Sequence, residues 1–324
     1  MKQFYPITLF TLGTLLVFTS CARNKRSVTK QELKIAYNVL ADQLNDNFEV
    51  NVMNTDGSDN RDITQLPGVE WTYMAHGSDL YIISDKDTCQ RCFFLYRTDA
   101  YGSHYEKVTD FRVADSWMST NDNGNEIIVK PHSTVDSVFY IIDYSGKIKQ
   151  KLTTGLPYSS DPLFINDGRQ VIFRGGKTPS KRIAGFDEEL YMIERNGEGL
   201  EQITHYPATD STAGQFGYRA GPPRLHPSGE FISYQSKQNG TYSIYTLNLE
   251  DGTTKKLDTI QENAGWHDWS PDGKLLAVEL FDSEFKHFNI GLMNWETKSY
   301  KIITDTLYRF QQAPVFVVSP PPMK

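Results

Sequence analysis

The sequence predicts an all-β protein, a six-bladed β-propeller closed by a C-terminal strand that joins three N-terminal strands. Three observations carry this reading. First, a hydrophobic residue followed by Thr ends a short segment at Ile63-Thr64, Val108-Thr109, Leu152-Thr153, Ile203-Thr204 and Ile303-Thr304, with Leu257-Asp258 in the same role; successive copies lie 45, 44, 51, 54 and 46 residues apart. A period near 45 residues is that of a four-stranded propeller blade. Second, glycine-bearing turns return twice in each period. One set is Asn123-Gly124, Asp167-Gly168, Ser228-Gly229 and Asp272-Gly273, with Gly77 as a weaker copy; the other centres on Gly57, Gly102, Gly146, Gly197 and Gly252, with Glu296-Thr297 once in its place. Tight hairpins take such residues because glycine reaches positive φ without steric cost. Third, the second set has six members and the first has five. The missing hairpin falls where the chain ends. Ala313–Val318 is therefore expected to be the inner strand of a blade whose other strands are Lys34–Val39, Phe48–Met53 and Arg61–Thr64, an arrangement that leaves no sheet edge open.

Taken in order, the chain begins with a short address. Lys2 precedes an apolar run of 12 residues, Ile7–Phe18, well short of the roughly 20 needed to span a bilayer as a helix, so residues 1–20 read as a signal peptide. Phe18-Thr19-Ser20-Cys21 resembles the lipobox of bacterial lipoproteins. That resemblance implies cleavage before Cys21 and acylation of Cys21, giving a membrane anchor of several acyl chains; a plain secretory signal is the alternative. Ala22 after the cysteine is similar to outer-membrane sorting signals, which implies a bacterial cell-envelope lipoprotein facing the periplasm. Residues 21–32 are polar and read as a tether, residues 33–318 as the propeller, and residues 319–324 as a tail.

Cys89 and Cys92 are the remaining cysteines. In an oxidising compartment they suggest a local disulfide, and the same spacing could serve a redox site. No second Cys/His pair stands at zinc-ligand spacing. Phe93-Phe94-Leu95-Tyr96 reads as a strand, and no helix follows Cys92 to lower a thiol pKa, so a structural bridge is the favoured reading.

The clearest copy of the blade is Trp266-His-Asp-Trp269-Ser-Pro-Asp-Gly273, then Lys274–Val278, Asn289–Asn294 and Lys301–Thr304. Trp269-Ser-Pro-Asp-Gly273 and Met53-Asn-Thr-Asp-Gly-Ser58 resemble the repeats of TolB-type propellers over about residues 33–318. The resemblance implies six blades. TolB also has an N-terminal α/β domain, whereas about 12 residues separate Cys21 from the first strand here, so TolB's role in envelope complexes carries over in part.

Two connections exceed the period, residues 175–187 and 205–221, and both are expected on the face opposite the short hairpins. They carry Lys177, Lys181, Arg182, Phe186, His205, Tyr206, Phe216, Tyr218 and Arg219, a cationic and aromatic set on a chain of net charge −7. Such a set suits a carboxylate-bearing, carbohydrate or acidic protein partner. Near the pore the inner strands contribute Asp115, Asp161, Arg224, His226, Trp266, His267 and Asp268. Of these Arg224, Trp266 and His267 join the candidate binding set. His267 and Asp268 are adjacent on a strand and point to opposite faces, so they form no dyad.

No nucleophile elbow, HExxH, phosphate loop or dinucleotide fingerprint occurs, and no catalytic residue, metal ligand or cofactor is assigned. With 33 basic against 40 acidic residues and no basic stripe, nucleic acid is not an expected partner. The expectation is a lipid-anchored envelope propeller that binds a protein or glycan through its long-loop face. The alternative is a metal-assisted lyase or hydrolase acting on an acidic saccharide, by resemblance to oligogalacturonate lyases.

Overall fold

A computed structural model of the chain describes Met1 and residues 31–121, 123–179, 187–214 and 217–320. Among them are twenty-four strands in six four-stranded sheets. From the inner strand outward, blade 1 holds β24 (Gln311–Val318), β1 (Leu33–Asp42), β2 (Asn47–Asn54) and β3 (Arg61–Asp62). Blade 2 holds β4 (Glu70–His76), β5 (Asp79–Ser84), β6 (Phe94–Thr98) and β7 (Glu106–Lys107); blade 3 holds β8 (Ser119–Thr120), β9 (Glu126–Val129), β10 (Phe139–Asp143) and β11 (Ile148–Leu152). Blade 4 holds β12 (Tyr158–Ile165), β13 (Gln170–Gly176), β14 (Glu189–Glu194) and β15 (Glu201–Gln202). Blade 5 holds β16 (Arg224–Leu225), β17 (Phe231–Gln238), β18 (Thr241–Asn248) and β19 (Thr254–Lys256); blade 6 holds β20 (Asn263–Trp269), β21 (Leu275–Phe281), β22 (Phe288–Asn294) and β23 (Tyr300–Ile302).

The ring closes as the turn count requires. β24 pairs antiparallel with β1, with Leu33 opposite Val318 and Ile35 opposite Phe316. Blade 1 is thus assembled from both ends of the propeller segment.

The repeated Thr has a hydrogen-bonding reason. In blades 1, 2, 4 and 6 its Oγ1 accepts the backbone N–H of a third-strand residue 14 positions earlier: Thr64 from Val50 (3.0 Å), Thr109 from Leu95 (3.1 Å), Thr204 from Leu190 (2.8 Å) and Thr304 from Ile290 (3.0 Å). The side chain satisfies an N–H beyond the end of the short outer strand, which would otherwise be left without a partner. The outer turns show why glycine recurs. Gly57, Gly102 and Gly146 have φ of +93°, +75° and +84°, and a Cβ on them would collide with the carbonyls of Ile303, Ile63 and Val108, the apolar residues of the same motif in the neighbouring blade. The two signatures of the repeat therefore meet where one blade packs on the next.

Each blade is apolar on both faces, and residue parity decides which neighbour a side chain meets. In β13, Val171 and Phe173 join Ile128 and Phe139 of blade 3, whereas Ile172 joins Ile232 and Tyr234 of blade 5. Ile35, Tyr37 and Phe316 of blade 1 pack with Ala277 and Ile290 of blade 6, which seals the last seam.

Candidate functional site

The first-to-second and third-to-fourth strand hairpins lie on one face of the ring, the turn face. Val318 N–H donates to Gly77 O at 2.8 Å, so the chain enters at Leu33 and leaves at Val318 on that face. Second-to-third loops and blade-to-blade connections form the opposite, loop face. Both long connections spring from strand ends on it, the first between Gly176 and Glu189, the second from Gln202 towards Arg224.

At the centre of the loop face the channel opens into a cavity of about 270 Å³ lined by Trp71, Tyr73, Trp117, Asp161, Arg174 and Trp266, among others. Its aromatic wall is continuous: Tyr73 and Trp117 have ring centroids 4.8 Å apart, Trp71 and Trp266 meet edge to face at 6.0 Å, and Trp117 and Trp266 at 6.4 Å. Three of these residues, Tyr73, Asp161 and Trp266, stand at bulges of the inner strands. Register shifts fall between Thr72 and Met74, between Ser160 and Leu163, and between Ala264 and His267. The extra residues are Tyr73, Asp161 with Pro162, and Gly265 with Trp266. A bulge re-aims side chains in this way. Asp161 takes a φ of +53°.

Asp161 is the hub of a buried polar cluster. One carboxylate oxygen accepts Trp117 N–H (2.7 Å) and Ser116 Oγ–H (3.1 Å); the other accepts Arg174 Nε–H, and Arg174 Nη1 donates to Glu188. All three charged residues are almost fully buried. Burial opposes the Arg174 charge, but Asp161 and Glu188 outweigh it and hold its pKa well above the ordinary value. The Tyr218 ring lies 4.9 Å from the guanidinium, and burial drives its hydroxyl pKa up. Tyr73 donates its O–H to Asp115; burial, then the Asp115 charge, raises its pKa.

Cys89 and Cys92 are joined by a disulfide in the second-to-third loop of blade 2, on the loop face. The tight loop presents Arg91 to the mouth. Arg91 N–H donates to Asp85 (2.6 Å), and its guanidinium makes two bonds to Asp46 of blade 1 (2.8 and 2.7 Å).

The residues singled out from sequence separate into distinct places. Cys21, Lys181, Arg182, Phe186 and Phe216 lie outside the described residues. His205 is exposed beside Gln202, and Arg219 lies 5.4 Å from the Tyr206 ring. Tyr206 pins its loop, accepting Ala213 N–H and donating to Lys237 O (2.7 Å). Tyr218 and Trp266 reach the mouth. Arg224 does not. It pairs with Asp268 (2.5 Å), lies 4.5 Å from the Trp117 ring, and lines a separate cavity of about 450 Å³ that opens on the turn face. His267 is enclosed between blades. Its Nε2 meets Ser233 Oγ (2.7 Å), its Nδ1 faces Gly265 O (3.2 Å), and burial pushes its pKa down to about 3. Neither nitrogen is offered to a ligand, so its place in the candidate binding set is corrected to a structural one. His226 is likewise a packing residue, stacked on Phe231 at 4.4 Å. Trp71, Tyr73, Trp117, Arg91, Arg174 and Glu188 escaped the sequence reading. A charged residue inside the buried run Val171-Ile-Phe-Arg174 was the one available signal.

No family model matches the chain. TolB of the Tol-Pal system from Francisella tularensis subsp. mediasiatica (strain FSC147) is 32% identical over 82 residues, 25% of this chain and 19% of that protein. A TolB candidate from Agrobacterium tumefaciens superposes with a TM-score of 0.59 at 15% identity, covering 90% of this chain and 98% of the other. The fold is that of a TolB-like six-bladed propeller. The chain spans about a fifth of the length of the curated TolB proteins that it matches. A chain of the nidogen/laminin complex superposes with a TM-score of 0.62 at 8% identity, over 89% of this chain and 98% of that one. Likeness at this level concerns fold and names no partner.

Proposed function

We propose that this TolB-like propeller is a lipid-anchored binding module of the bacterial cell envelope, held by Cys21 in the outer membrane facing the periplasm, and that its loop face recognises a protein or glycan partner. The observation that carries this is the concentration of features on one face. The aromatic mouth, the buried Asp161–Arg174–Glu188 cluster, the disulfide-closed loop with Arg91 and the described ends of both long connections all belong to the loop face. Leu33 enters on the other face. Rigid scaffolds carry recognition on loops grouped in this manner. His267 offers no base to the enzyme alternative, because it is enclosed and both its ring nitrogens have partners.

The test is capture from detergent-solubilised envelope membranes by three proteins: wild type, Lys177→Ala/Arg182→Ala/Arg219→Ala on the loop face, and Lys147→Ala/Lys149→Ala/Lys255→Ala on the turn face. The loop-face variant is expected to lose its partner with an unchanged circular dichroism spectrum, and the turn-face variant to keep it. The reverse pattern overturns the assignment of the face. Cys21→Ser is expected to release the protein from membranes or to block its maturation. Full membrane retention of that variant, with a wild-type N-terminus unmodified and at another residue, refutes the anchor.

A further inference from the structure

We infer that a cavity between blades 3 and 4 on the loop face is a carbonyl-binding site, in which the Lys130 amine condenses with a small aldehyde to form an imine. Such a site goes beyond the partner-binding reading above and does not rest on it.

Lys130 follows β9 and opens the second-to-third loop of blade 3. With Ser137 of that loop and Ser159 of β12 it lines a cavity of about 350 Å³. Its Nζ donates to Ser137 O and to Ser159 Oγ (3.1 Å). A lysine amine without its charge has two N–H groups and one lone pair. The two protein acceptors take both hydrogens, so the remaining tetrahedral position, the lone pair of the free amine, is left for what enters the cavity.

The surroundings hold the lysine proton weakly. Among the described residues Lys130 makes no ion pair, while the neighbouring charges are committed elsewhere: Asp136 to Lys151 (2.8 Å) and Tyr140 (2.8 Å), Arg174 to Asp161 and Glu188. Asp115 accepts the Tyr73 O–H. The Phe139 ring, 5.2 Å from Nζ, gives the charged form only a weak partner. Burial therefore outweighs the attraction of Asp136 and brings the Lys130 pKa down to about 8. Tyr158, on the same wall, keeps its proton, because burial drives its hydroxyl pKa up. A desolvated amine is the form in which lysine acts as a nucleophile towards carbonyl groups.

His132 lines the same cavity. Its Nδ1 accepts the Thr134 N–H (3.2 Å), which puts the ring hydrogen on Nε2. Burial and then the Arg112 charge lower its pKa, so the imidazole is neutral near pH 7 and has an N–H to offer a carbonyl oxygen. The Lys130 nitrogen attacks the carbonyl carbon, and the oxygen takes a proton to give a carbinolamine. Loss of that oxygen as water leaves the imine, which when protonated keeps one N–H for Ser137 O. One amine and one aldehyde thus give one imine and one water, with no change of oxidation state. The cavity has room for roughly twelve waters at ~30 Å³ each, which accommodates a short-chain aldehyde.

The experiment incubates the full chain with butanal and cyanoborohydride, which reduces the imine to a stable amine, and locates the label by peptide mass mapping. At pH 7 Lys130 has roughly a hundredfold more free amine than an ordinary lysine. After allowance for the lower nucleophilicity of a weaker base, its labelling is expected to be about tenfold faster than that of exposed Lys147, Lys149 and Lys255. The rate is expected to saturate with butanal and to level off above about pH 8. His132→Phe is expected to slow the labelling of Lys130 and of no other lysine. Labelling of Lys130 no faster than that of the exposed lysines overturns the inference, as does a rate that climbs with butanal without saturating. Propionate is the charged control. If it shields Lys130 from an acylating reagent while butanal forms no adduct there, the nitrogen is a cation that holds an anion, and the imine site is refuted.

Discussion

Truncating the chain before Gln311 removes β24, and the cost can be worked from what that strand buries. Val315, Phe316 and Val317 are each 5% exposed or less. At about 1.5–3 kcal/mol for each buried side chain of this size, their loss amounts to roughly 5–9 kcal/mol, an upper estimate because unfolded chains already bury some surface. Two ties to blade 6 go as well, Ala313 N–H to Glu279 (3.1 Å) and Phe316 N–H to Asp268 (2.9 Å), and β1 is left with an open edge on the channel. A typical domain is stable by about 5–15 kcal/mol in total. The truncated chain is therefore expected to lack a cooperative transition in thermal and urea unfolding followed by circular dichroism. Phe316→Ala, a milder change in the seam between blades 1 and 6, should cost about 3–5 kcal/mol. Val135→Ala, exposed on a loop, should stay within about 0.5 kcal/mol of wild type. A truncated chain melting within a few degrees of wild type would refute the closing role of β24.

Thr204→Val deprives Leu190 N–H of its acceptor and should destabilise by about 1 kcal/mol in urea unfolding, while the same change at exposed Thr153 should be close to neutral. Arg174→Met leaves Asp161 and Glu188 buried without their shared cation and should cost about 3–5 kcal/mol, with little relief from added salt because the pair is shielded from solvent. Stability should also fall as pH rises from about 4.5 to about 8. Burial raises Glu279 and Glu70 to about 8 in the fold, so between those values the unfolded chain ionises first and the folded state holds the extra protons. Glu279→Gln should flatten the slope of Tm against pH over that window and Glu70→Gln/Glu279→Gln should flatten it further; an unchanged slope in the double variant contradicts the assignment.

The blade count and the closure were legible in the sequence because each repeat is a local unit. The Thr that caps a third-strand N–H stands 14 residues from it, and the turn glycines sit within single hairpins, so their chemistry recurs at a fixed period. Even the seam between blades left a trace, since Gly57, Gly102 and Gly146 must be bare to admit the neighbouring motif's carbonyl. The mouth was legible in part: Asp161 and Trp266 were expected near the pore, Trp71 and Trp117 were not. Trp71, Trp117, Asp161 and Trp266 come from blades 2, 3, 4 and 6 and meet only because the ring closes. Tyr73, Asp161 and Trp266 stand at bulges of the inner strands, and a bulge leaves no mark in a run of apolar and aromatic residues. For the same reason Arg224 and Trp266, both inner-strand residues, could not be told apart by periodicity; position along the strand sends one to the turn face and the other to the loop face. Strand alternation already set His267 and Asp268 on opposite faces. Only tertiary packing gives each its partner from another blade: Ser233 for the imidazole, Arg224 for the carboxylate.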